Sequence, residues 1–411
     1  MKRAGMFNLV GGGIFNAASA RSVGRWANTT AAMQRLVRGR AEARNETVDI
    51  KHGMSTAETP TGVDRDLDKG PGAAALPPTG SPGNRNVADE TRIPGIEPRR
   101  AASPASAPIG SRFLSAIFSN QAGSRPYKLF VPSGYRPGQP VPLIVMLHGC
   151  TQSPDDFAAG TRMNEAAEKQ TMLVVYPGQT RSANIQKCWN WFKESQQRRN
   201  MGEPSLIAGI TVEVMRNYSI DPQRVYVAGI SAGGAAAAIM ADAYPDLYAA
   251  IGVHSGLACG AAYNLSSAMA AMRGSQGLVV RTSVSASQAE RVTVPTIVFH
   301  GDRDTTVHPR NARAVVAQSA RASEITMHTD DVHVAAGHDY SRSVGIDADG
   351  KAVVEQWVVH GGGHAWSGGS PKGSYTDPHG PDATSEMLRF FLEHPRSDRA
   401  GNDWSSTTAP A

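Results

Sequence analysis

The chain has 411 residues, of which 40% are hydrophobic, and this is enough for one large folded domain with additional segments. Its formal net charge is +5, but residues 1–50 hold eight Lys or Arg against three Asp or Glu. The basicity therefore belongs mainly to an amino-terminal tail. No stretch approaches the roughly 18 to 20 apolar residues that cross a membrane, so no transmembrane segment is expected.

Several roles are open for the basic tail. Docking on an anionic surface and solubility alone are both compatible with it, whereas nucleic acid is not expected as a partner. Met1–Arg3 and the small residues Ala18–Ala20 have the outline of a signal peptide, but Asn8 and three consecutive glycines give it a poor apolar centre. The three cysteines of the chain fit one bridge in an exported protein or three thiols in a cytosolic one. The oligomeric state cannot be read from the sequence.

Composition divides the chain into three segments. Residues from about 50 to 110 are rich in Pro, Gly, Ser and charge and lack an apolar period, which is typical of a disordered linker. We therefore expect a basic segment and disordered linker over 1–111, a catalytic domain over 112–396 and a disordered tail over 397–411.

Short apolar runs alternate with helical segments inside the predicted domain. Pro142–Leu147 is continuously apolar, as in strands that are buried on both faces of a parallel sheet. The alternation favours an α/β fold with a right-handed, mostly parallel, doubly wound sheet. The predicted strands are 127–131, 142–147, 172–176, 224–228, 249–253, 296–299 and 353–359. The predicted helices are 155–169, 205–218 and 384–394, with an alanine-rich helix after residue 233.

Residues 229–233 read Gly-Ile-Ser-Ala-Gly, between a predicted strand and the alanine-rich helix. This context is that of the nucleophile elbow of an α/β-hydrolase, in which the serine side chain projects from the top of the sheet. Gly229 and Gly233 leave room for the sharp turn, since a larger residue would crowd the neighbouring strand or helix. The pattern alone is common by chance, and its flanking elements make Ser231 the predicted nucleophile.

A serine nucleophile needs a base and an acid that orients the base, and in this fold the acid comes first along the chain. Two aspartates follow the strand 296–299. Asp304 is favoured because it lies past the turn, where its carboxylate can fold back towards the site. Asp302 lies in the turn, where aspartates often bond their own backbone.

His364 is the predicted base. It lies in a glycine-rich loop after the strand 353–359, and glycines allow the positive φ and the close approach that such a loop needs. His360 is its rival, but it follows the strand directly, which is more typical of a structural residue. Among the remaining histidines, His254 is the one of interest near the site.

Two backbone N–H groups are candidates for an oxyanion hole. Ala232 follows the nucleophile, and Cys150 lies in the loop 148–152 after the strand 142–147. His148-Gly149 is also compatible with a simple tight turn. We find no cluster with metal-ligand spacing, and the chemistry requires no metal and no organic cofactor.

Five motifs together resemble the polyhydroxybutyrate (PHB) depolymerase family of esterases, over about residues 112–395. The resemblance implies a serine esterase that hydrolyses short-chain polyhydroxyalkanoates through an acyl-enzyme, and it supports Ser231, Asp304 and His364 by matching position. The motifs are His148-Gly149-Cys150-Thr151-Gln152, Cys188-Trp189-Asn190-Trp191-Phe192, Val227-Ala228-Gly229-Ile230-Ser231-Ala232-Gly233-Gly234, His254-Ser255-Gly256 and Gly362-Gly363-His364-Ala365-Trp366-Ser367-Gly368-Gly369.

The resemblance leaves two other functions open. Related branches of the family cleave feruloyl or acetyl esters of plant polysaccharides, so a carbohydrate esterase with the same triad is the first alternative. The second is a granule-binding protein with a vestigial hydrolase domain, docked through the basic tail. Resemblance favours an extracellular protein, whereas the weak signal and the cationic tail favour a cytoplasmic, granule-associated one.

Aromatic and cysteine residues near these motifs have two interpretations each. Trp189, Trp191 and Trp366 are candidate substrate contacts that form an apolar platform, or they belong to the core. The resemblance also suggests a disulfide between Cys150 and Cys188 in an oxidising compartment, which leaves Cys259 as the odd thiol.

Overall fold

The structure is a computed structural model that describes residues 110–275, 294–320 and 324–397. The predicted basic tail, signal peptide and linker fall outside this part of the chain except for residues 110 and 111. The predicted carboxyl-terminal tail falls outside it except for residue 397. The division into three segments therefore stays a prediction.

Twelve strands lie in the described part of the chain. They are β1 (Arg112–Asn120), β2 (Gly123–Val131), β3 (Val141–Leu147), β4 (Leu173–Pro177), β5 (Ile220–Ile230), β6 (Ala250–His254), β7 (Thr296–Gly301), β8 (Thr326–Val332), β9 (Tyr340–Ile346), β10 (Ala352–Val359), β11 (Trp366–Ser367) and β12 (Thr376–Asp377). The helices are α1 (Pro154–Thr161), α2 (Met163–Gln170), α3 (Gly202–Asn217), α4 (Ala232–Ala243), α5 (Leu265–Met272), α6 (Arg310–Ser319) and α7 (Ala383–Glu393), with a short 3₁₀ turn over Glu194–Gln196.

Ten of the strands form one sheet in the order β1-β2-β4-β3-β5-β6-β7-β10-β9-β8. The six central strands, in the order β4-β3-β5-β6-β7-β10, are parallel to one another. Antiparallel pairs extend the sheet at both edges, with β1 and β2 at one edge and β9 and β8 at the other. The sheet is therefore mostly parallel.

Helices cover both faces of the parallel region. Side chains alternate across β3, so that Leu143, Val145 and Leu147 pack in a core with α3 and α4. Ile144 and Met146 pack in a second core on the other face, with residues of α1, α2 and α7. A strand buried on both faces needs a continuous apolar sequence, which is why β3 was readable from its sequence.

Several elements differ from the sequence-based expectation, among them β9, α5 and α6, which were not expected. The single helix expected over 155–169 is two helices, because Arg162 adopts a left-handed conformation with φ 55° between them. Strand β1 was not expected, since six of its nine residues are exposed and its apolar pattern is interrupted. Strand β8 is exposed along its whole length and was missed for the same reason.

Topology brings the predicted site residues to one edge of the sheet. The strands β5, β7 and β10 run parallel, so their carboxyl ends lie at the same edge. The segments that follow them carry Ser231, the two competing aspartates and the two competing histidines. The loop 148–152 follows β3 at this same edge.

Candidate active site

Ser231 occupies a sharp turn between β5 and α4. Its backbone has φ 58° and ψ −122°, a conformation that residues with a Cβ atom rarely adopt. Two backbone hydrogen bonds hold it: the Ser231 N–H donates to the carbonyl of His254 at 2.9 Å, and the Ser231 carbonyl accepts from Ala235 at 2.9 Å. Strain of this kind is the hallmark of a nucleophile elbow.

The glycines on either side of the serine are required by space. A Cβ atom on Gly233 would overlap the carbonyl oxygen of Leu147 at the end of β3. A Cβ atom on Gly229 would overlap the backbone of Gly233. The strand, the turn and the helix can therefore approach each other only because these two positions lack side chains.

Asp304 forms a short hydrogen bond with His364. Its Oδ2 lies 2.6 Å from Nδ1 of His364, while Oδ1 accepts the N–H groups of Thr306 at 2.8 Å and Val307 at 2.9 Å. Burial by itself would raise the pKa of Asp304, but the positive charge of His364 and hydrogen bonds from His300 and His364 outweigh it and hold this pKa well below its usual range. Asp304 is therefore a carboxylate suited to orienting the ring of His364.

Asp302 and His360, the alternatives to Asp304 and His364, form a hydrogen-bonded pair with each other. Oδ2 of Asp302 lies 3.1 Å from Nδ1 of His360, and its Oδ1 accepts the N–H of Gly361 at 2.8 Å. Nε2 of His360 lies 2.8 Å from the hydroxyl of Ser341. The structure thus separates an Asp304–His364 pair from a partly exposed Asp302–His360 pair.

The acid-bearing and histidine-bearing segments are joined through their backbones. Arg303 donates its N–H to the carbonyl of Gly362 at 3.0 Å, and Asp302 donates to the carbonyl of Val359 at 3.0 Å. A Cβ atom on Gly301 would overlap the Gly362 carbonyl. The close approach that the sequence analysis expected of the histidine loop thus depends also on a glycine at the end of β7.

Two buried histidines support the site and were not assigned a role from sequence. Nε2 of His300 lies 3.3 Å from Oδ2 of Asp304 and 2.8 Å from the carbonyl of Val307. His254 packs its ring on Trp366, with ring centroids 5.0 Å apart. Neither role could be predicted from residue spacing. His254 contacts a segment that is distant in sequence, and His300 is buried beneath the turn that carries Asp304.

The loop after β3 lies against the elbow, as an oxyanion loop would. A Cβ atom on Gly149 would contact the carbonyl of Ile230 at 3.5 Å, directly before Ser231. Gln152 fixes the loop, because its Oε1 accepts the N–H of Gly149 at 2.8 Å. Among the hydrogen bonds within the described ranges, the N–H groups of Cys150 and Ala232 do not act as donors. They remain predicted oxyanion donors.

A disulfide joins Cys150 to Cys188, with an S–S distance of 2.06 Å. Next to it, the indole N–H of Trp189 donates to the carbonyl of His148 at 3.1 Å. The loop 148–152 and the loop 188–192, called here the Trp-rich loop, are thus linked by a covalent bond and a hydrogen bond.

The three tryptophans proposed as substrate contacts differ little in exposure. Trp189 is 0% exposed, Trp366 is 1% exposed and Trp191 is 7% exposed. The indole N–H of Trp366 donates to the hydroxyl of Thr384 at 3.0 Å. These environments favour the core interpretation for Trp189 and Trp366, and substrate contact stays a prediction that needs movement of the surrounding loops.

Glu203 is a buried carboxylate that the sequence analysis missed. It is 5% exposed and accepts hydrogen bonds from the N–H of Asn190 at 2.7 Å and from its Nδ2 at 2.6 Å. Gln179 donates to it at 2.5 Å, and Arg125 lies 3.4 Å away. This network holds the Trp-rich loop in place through Asn190.

No three His, Cys, Asp or Glu side chains are grouped as a metal site would require in the parts of the chain that are described. Within the same parts, no helix is both long enough and apolar enough to span a membrane.

The sheet order, the strained serine on the strand–turn–helix and the acid–histidine pair define an α/β-hydrolase. A solved acetyl xylan esterase from Aspergillus awamori shares this fold, with a TM-score of 0.51 and 19% identity over 69% of this chain and 99% of that one. The predicted fold class is confirmed.

The chain belongs to the family described as Esterase PHB depolymerase, whose pattern matches residues 125–337. Poly(3-hydroxyalkanoate) depolymerase C of Paucimonas lemoignei is 32% identical over 254 residues, which is 60% of each chain. Feruloyl esterase B of Neurospora crassa is 30% identical over 189 residues, which is 43% of this chain and 63% of that one. The family expected from the motifs is confirmed, although the chain spans less than two thirds of either relative.

Proposed function

We propose that this protein is a serine esterase in which Ser231, His364 and Asp304 form the catalytic triad. The observation that carries the proposal is the 2.6 Å hydrogen bond between Asp304 and His364, at the sheet edge where Ser231 is held in a strained elbow. Membership of an esterase family supports the same chemistry.

The proposed reaction is acyl transfer in two halves. Ser231 Oγ attacks the ester carbonyl while Nε2 of His364 takes its proton, and Asp304 holds the ring and stabilises the imidazolium. The N–H groups of Ala232 and Cys150 would hold the oxyanion. His364 then protonates the leaving alkoxide, and an acyl-enzyme remains on Ser231. Water, deprotonated by His364, attacks this ester, and the acid leaves as Ser231 recovers its proton.

We propose short-chain polyhydroxyalkanoate, in particular poly(3-hydroxybutyrate) or its oligomers, as the substrate. The family and the similarity to a poly(3-hydroxyalkanoate) depolymerase support this choice. Docking of the basic tail on a storage granule belongs to the same proposal, and it concerns residues outside the described part of the chain.

The test is the release of soluble 3-hydroxybutyrate and its oligomers from amorphous poly(3-hydroxybutyrate). We expect release by the parent protein and a decrease of at least about 10³-fold in Ser231→Ala. The control is Ser219→Ala, because Ser219 lies directly before β5, at the opposite end of that strand from Ser231. Equal activity of Ser231→Ala and the parent would contradict the nucleophile assignment.

A carbohydrate esterase is the second candidate, and the similarity to a feruloyl esterase favours it. The same preparations are assayed on feruloyl and acetyl-sugar esters and on p-nitrophenyl butyrate. Turnover of the butyrate ester and a sugar ester without release from the polymer would select this candidate. Polymer binding that survives in Ser231→Ala, with no turnover of any ester by the parent, would instead favour the granule-binding alternative.

A further inference from the structure

A cavity of about 600 Å³ opens between the segment after β7, the start of α6 and the strand β10. Asp304 forms part of its wall, but Ser231 and His364 do not. Three arginines, Arg303, Arg310 and Arg313, line it together with His308. The cavity thus lies next to the acid of the proposed triad without being the place where the ester would react.

The three arginines of this cavity have no charged partner among the residues that the structure describes. The side chains of Arg303, Arg310 and Arg313 are exposed, and none of them takes part in an ion pair or side-chain hydrogen bond in the described ranges. The two carboxylates in the wall are already engaged, Asp302 by His360 and Asp304 by His364. Three guanidinium groups therefore face one volume without a dedicated counter-charge.

The start of α6 adds to this positive potential. The helix begins at Arg310 with Pro309 as its N-cap, Nδ1 of His308 accepts the N–H of Arg310 at 3.2 Å, and the first turn contains no acidic residue. The amino end of a helix carries a partial positive charge and favours anions, so Arg310 and Arg313 in the first turn are unfavourable unless an anion compensates them. An anion bound at this end of α6 would offset the unfavourable interaction of these two arginines with the helix dipole.

His300, one of the residues that line the cavity, also has a buried polar atom without a partner among the described residues. His300 is 1% exposed, and its Nε2 donates to the carbonyl of Val307 at 2.8 Å. Its Nδ1 is buried and has no hydrogen-bond partner among the residues the structure describes. Such atoms are rare in native structures and often mark a place where a ligand or water completes the site.

We propose that this cavity binds a small oxyanion, a carboxylate or a phosphate, through Arg303, Arg310 and Arg313. Guanidinium groups match the two oxygens of such anions and bind them through paired, charge-assisted hydrogen bonds. A hydroxy acid would supply a carboxylate, and inorganic phosphate is the other common source of this chemistry. The site stands on the cavity and its charges, so it is independent of the proposed ester hydrolysis.

Binding of sodium 3-hydroxybutyrate and of inorganic phosphate to the full-length protein tests the proposal, by titration calorimetry at constant ionic strength. We expect saturable binding of at least one of them, and a Kd at least about tenfold weaker in Arg310→Gln/Arg313→Gln, as for the loss of charged hydrogen bonds. The matched control is Lys169→Gln/Arg198→Gln, which removes two exposed cations elsewhere. This control should bind as the parent does.

Two results would overturn the proposal. One is the same Kd in the parent and in the double arginine variant, which is also what binding of 3-hydroxybutyrate at the ester site alone would give. The other is no saturable binding of either anion at concentrations on the order of 10 mM. Thermal unfolding without anion checks that the double variant folds. If the double variant does not fold, Arg313→Gln alone is measured, and we again expect a weaker Kd than in the parent.

Discussion

Nε2 of His254 accepts a hydrogen bond of 3.0 Å from the backbone N–H of Ser367. Since the carbonyl of His254 also accepts the N–H of Ser231, this residue joins the nucleophile elbow to the segment that follows His364. A ring nitrogen that accepts cannot carry a proton, so His254 is neutral in the folded protein. Burial is the largest cause that keeps the pKa of His254 well below its usual range, and electrostatic interaction with His300 and His364 acts in the same direction.

His148 has the same protonation state for a similar reason. Its Nε2 accepts the N–H of Gln179 at 3.0 Å, and burial lowers the pKa of His148 to about 4. In the unfolded chain a histidine has a pKa of about 6.5, so the folded state binds fewer protons between these values. The contribution of neutral His148 to the free energy of unfolding is therefore complete above about pH 6.5. It decreases by about 3 kcal/mol as the pH falls towards 4.

We accordingly expect the free energy of unfolding to decrease between about pH 7 and about pH 5, as measured by urea denaturation. In each of the variants His148→Gln and His254→Gln, the free energy of unfolding should depend on pH less steeply than in the parent, by the contribution of about one proton. His333→Gln is the control, because the side chain of His333 is 82% exposed. A stability that is constant over this range in the parent would contradict the expectation.

The two competing aspartates provide a direct test of the acid assignment. In Asp304→Asn the amide cannot hold the imidazolium of His364, so kcat should fall by about 10³ to 10⁴-fold on p-nitrophenyl butyrate. Asp302→Asn changes the partly exposed pair with His360, and we expect less than about a tenfold effect. Similar losses in the two variants would show that the 2.6 Å contact of Asp304 does not identify the acid.

Two glycines next to the acid and base differ in the space around them. An alanine side chain at position 301 would overlap the carbonyl of Gly362, whereas at position 363 it would meet no atom within 4 Å. Gly301→Ala should therefore destabilise the protein by about 1 to 3 kcal/mol and reduce activity. Gly363→Ala should stay within about 0.5 kcal/mol of the parent in thermal unfolding. The reverse order would mean that the two segments are not packed as described.

Removal of the disulfide should weaken the fold. Cys150 and Cys188 are 38 residues apart, and a cross-link over a loop of this length stabilises by about 4 kcal/mol in the chain-entropy description. We expect a reductant to lower the Tm of the parent but not that of Cys188→Ala. Cys259→Ala is the control, and it should respond to the reductant as the parent does. A Tm of the parent that is unaffected by the reductant would show that the bridge does not form.

Much of the fold could be predicted because its central strands are buried on both faces. Continuous apolar runs such as residues 142–147 have no other simple explanation, and β3 follows this run closely. The exposed edge strands lack this signal, and β8 has no buried residue at all. The break at Arg162 was unreadable because a left-handed residue other than glycine leaves no mark in the sequence.

The elbow pattern, the family and a short set of candidate acids and bases could be read along the chain, since these depend on local order. The pairing of aspartates with histidines is visible only in the fold: Asp304 bonds His364, and Asp302 bonds His360. Both aspartates lie within three residues of the end of β7, so their positions in the sequence favoured Asp304 without giving the partner of either carboxylate. The choice is made by the direction in which each side chain leaves the turn, and that direction is fixed by contacts with segments some 58 to 60 residues away.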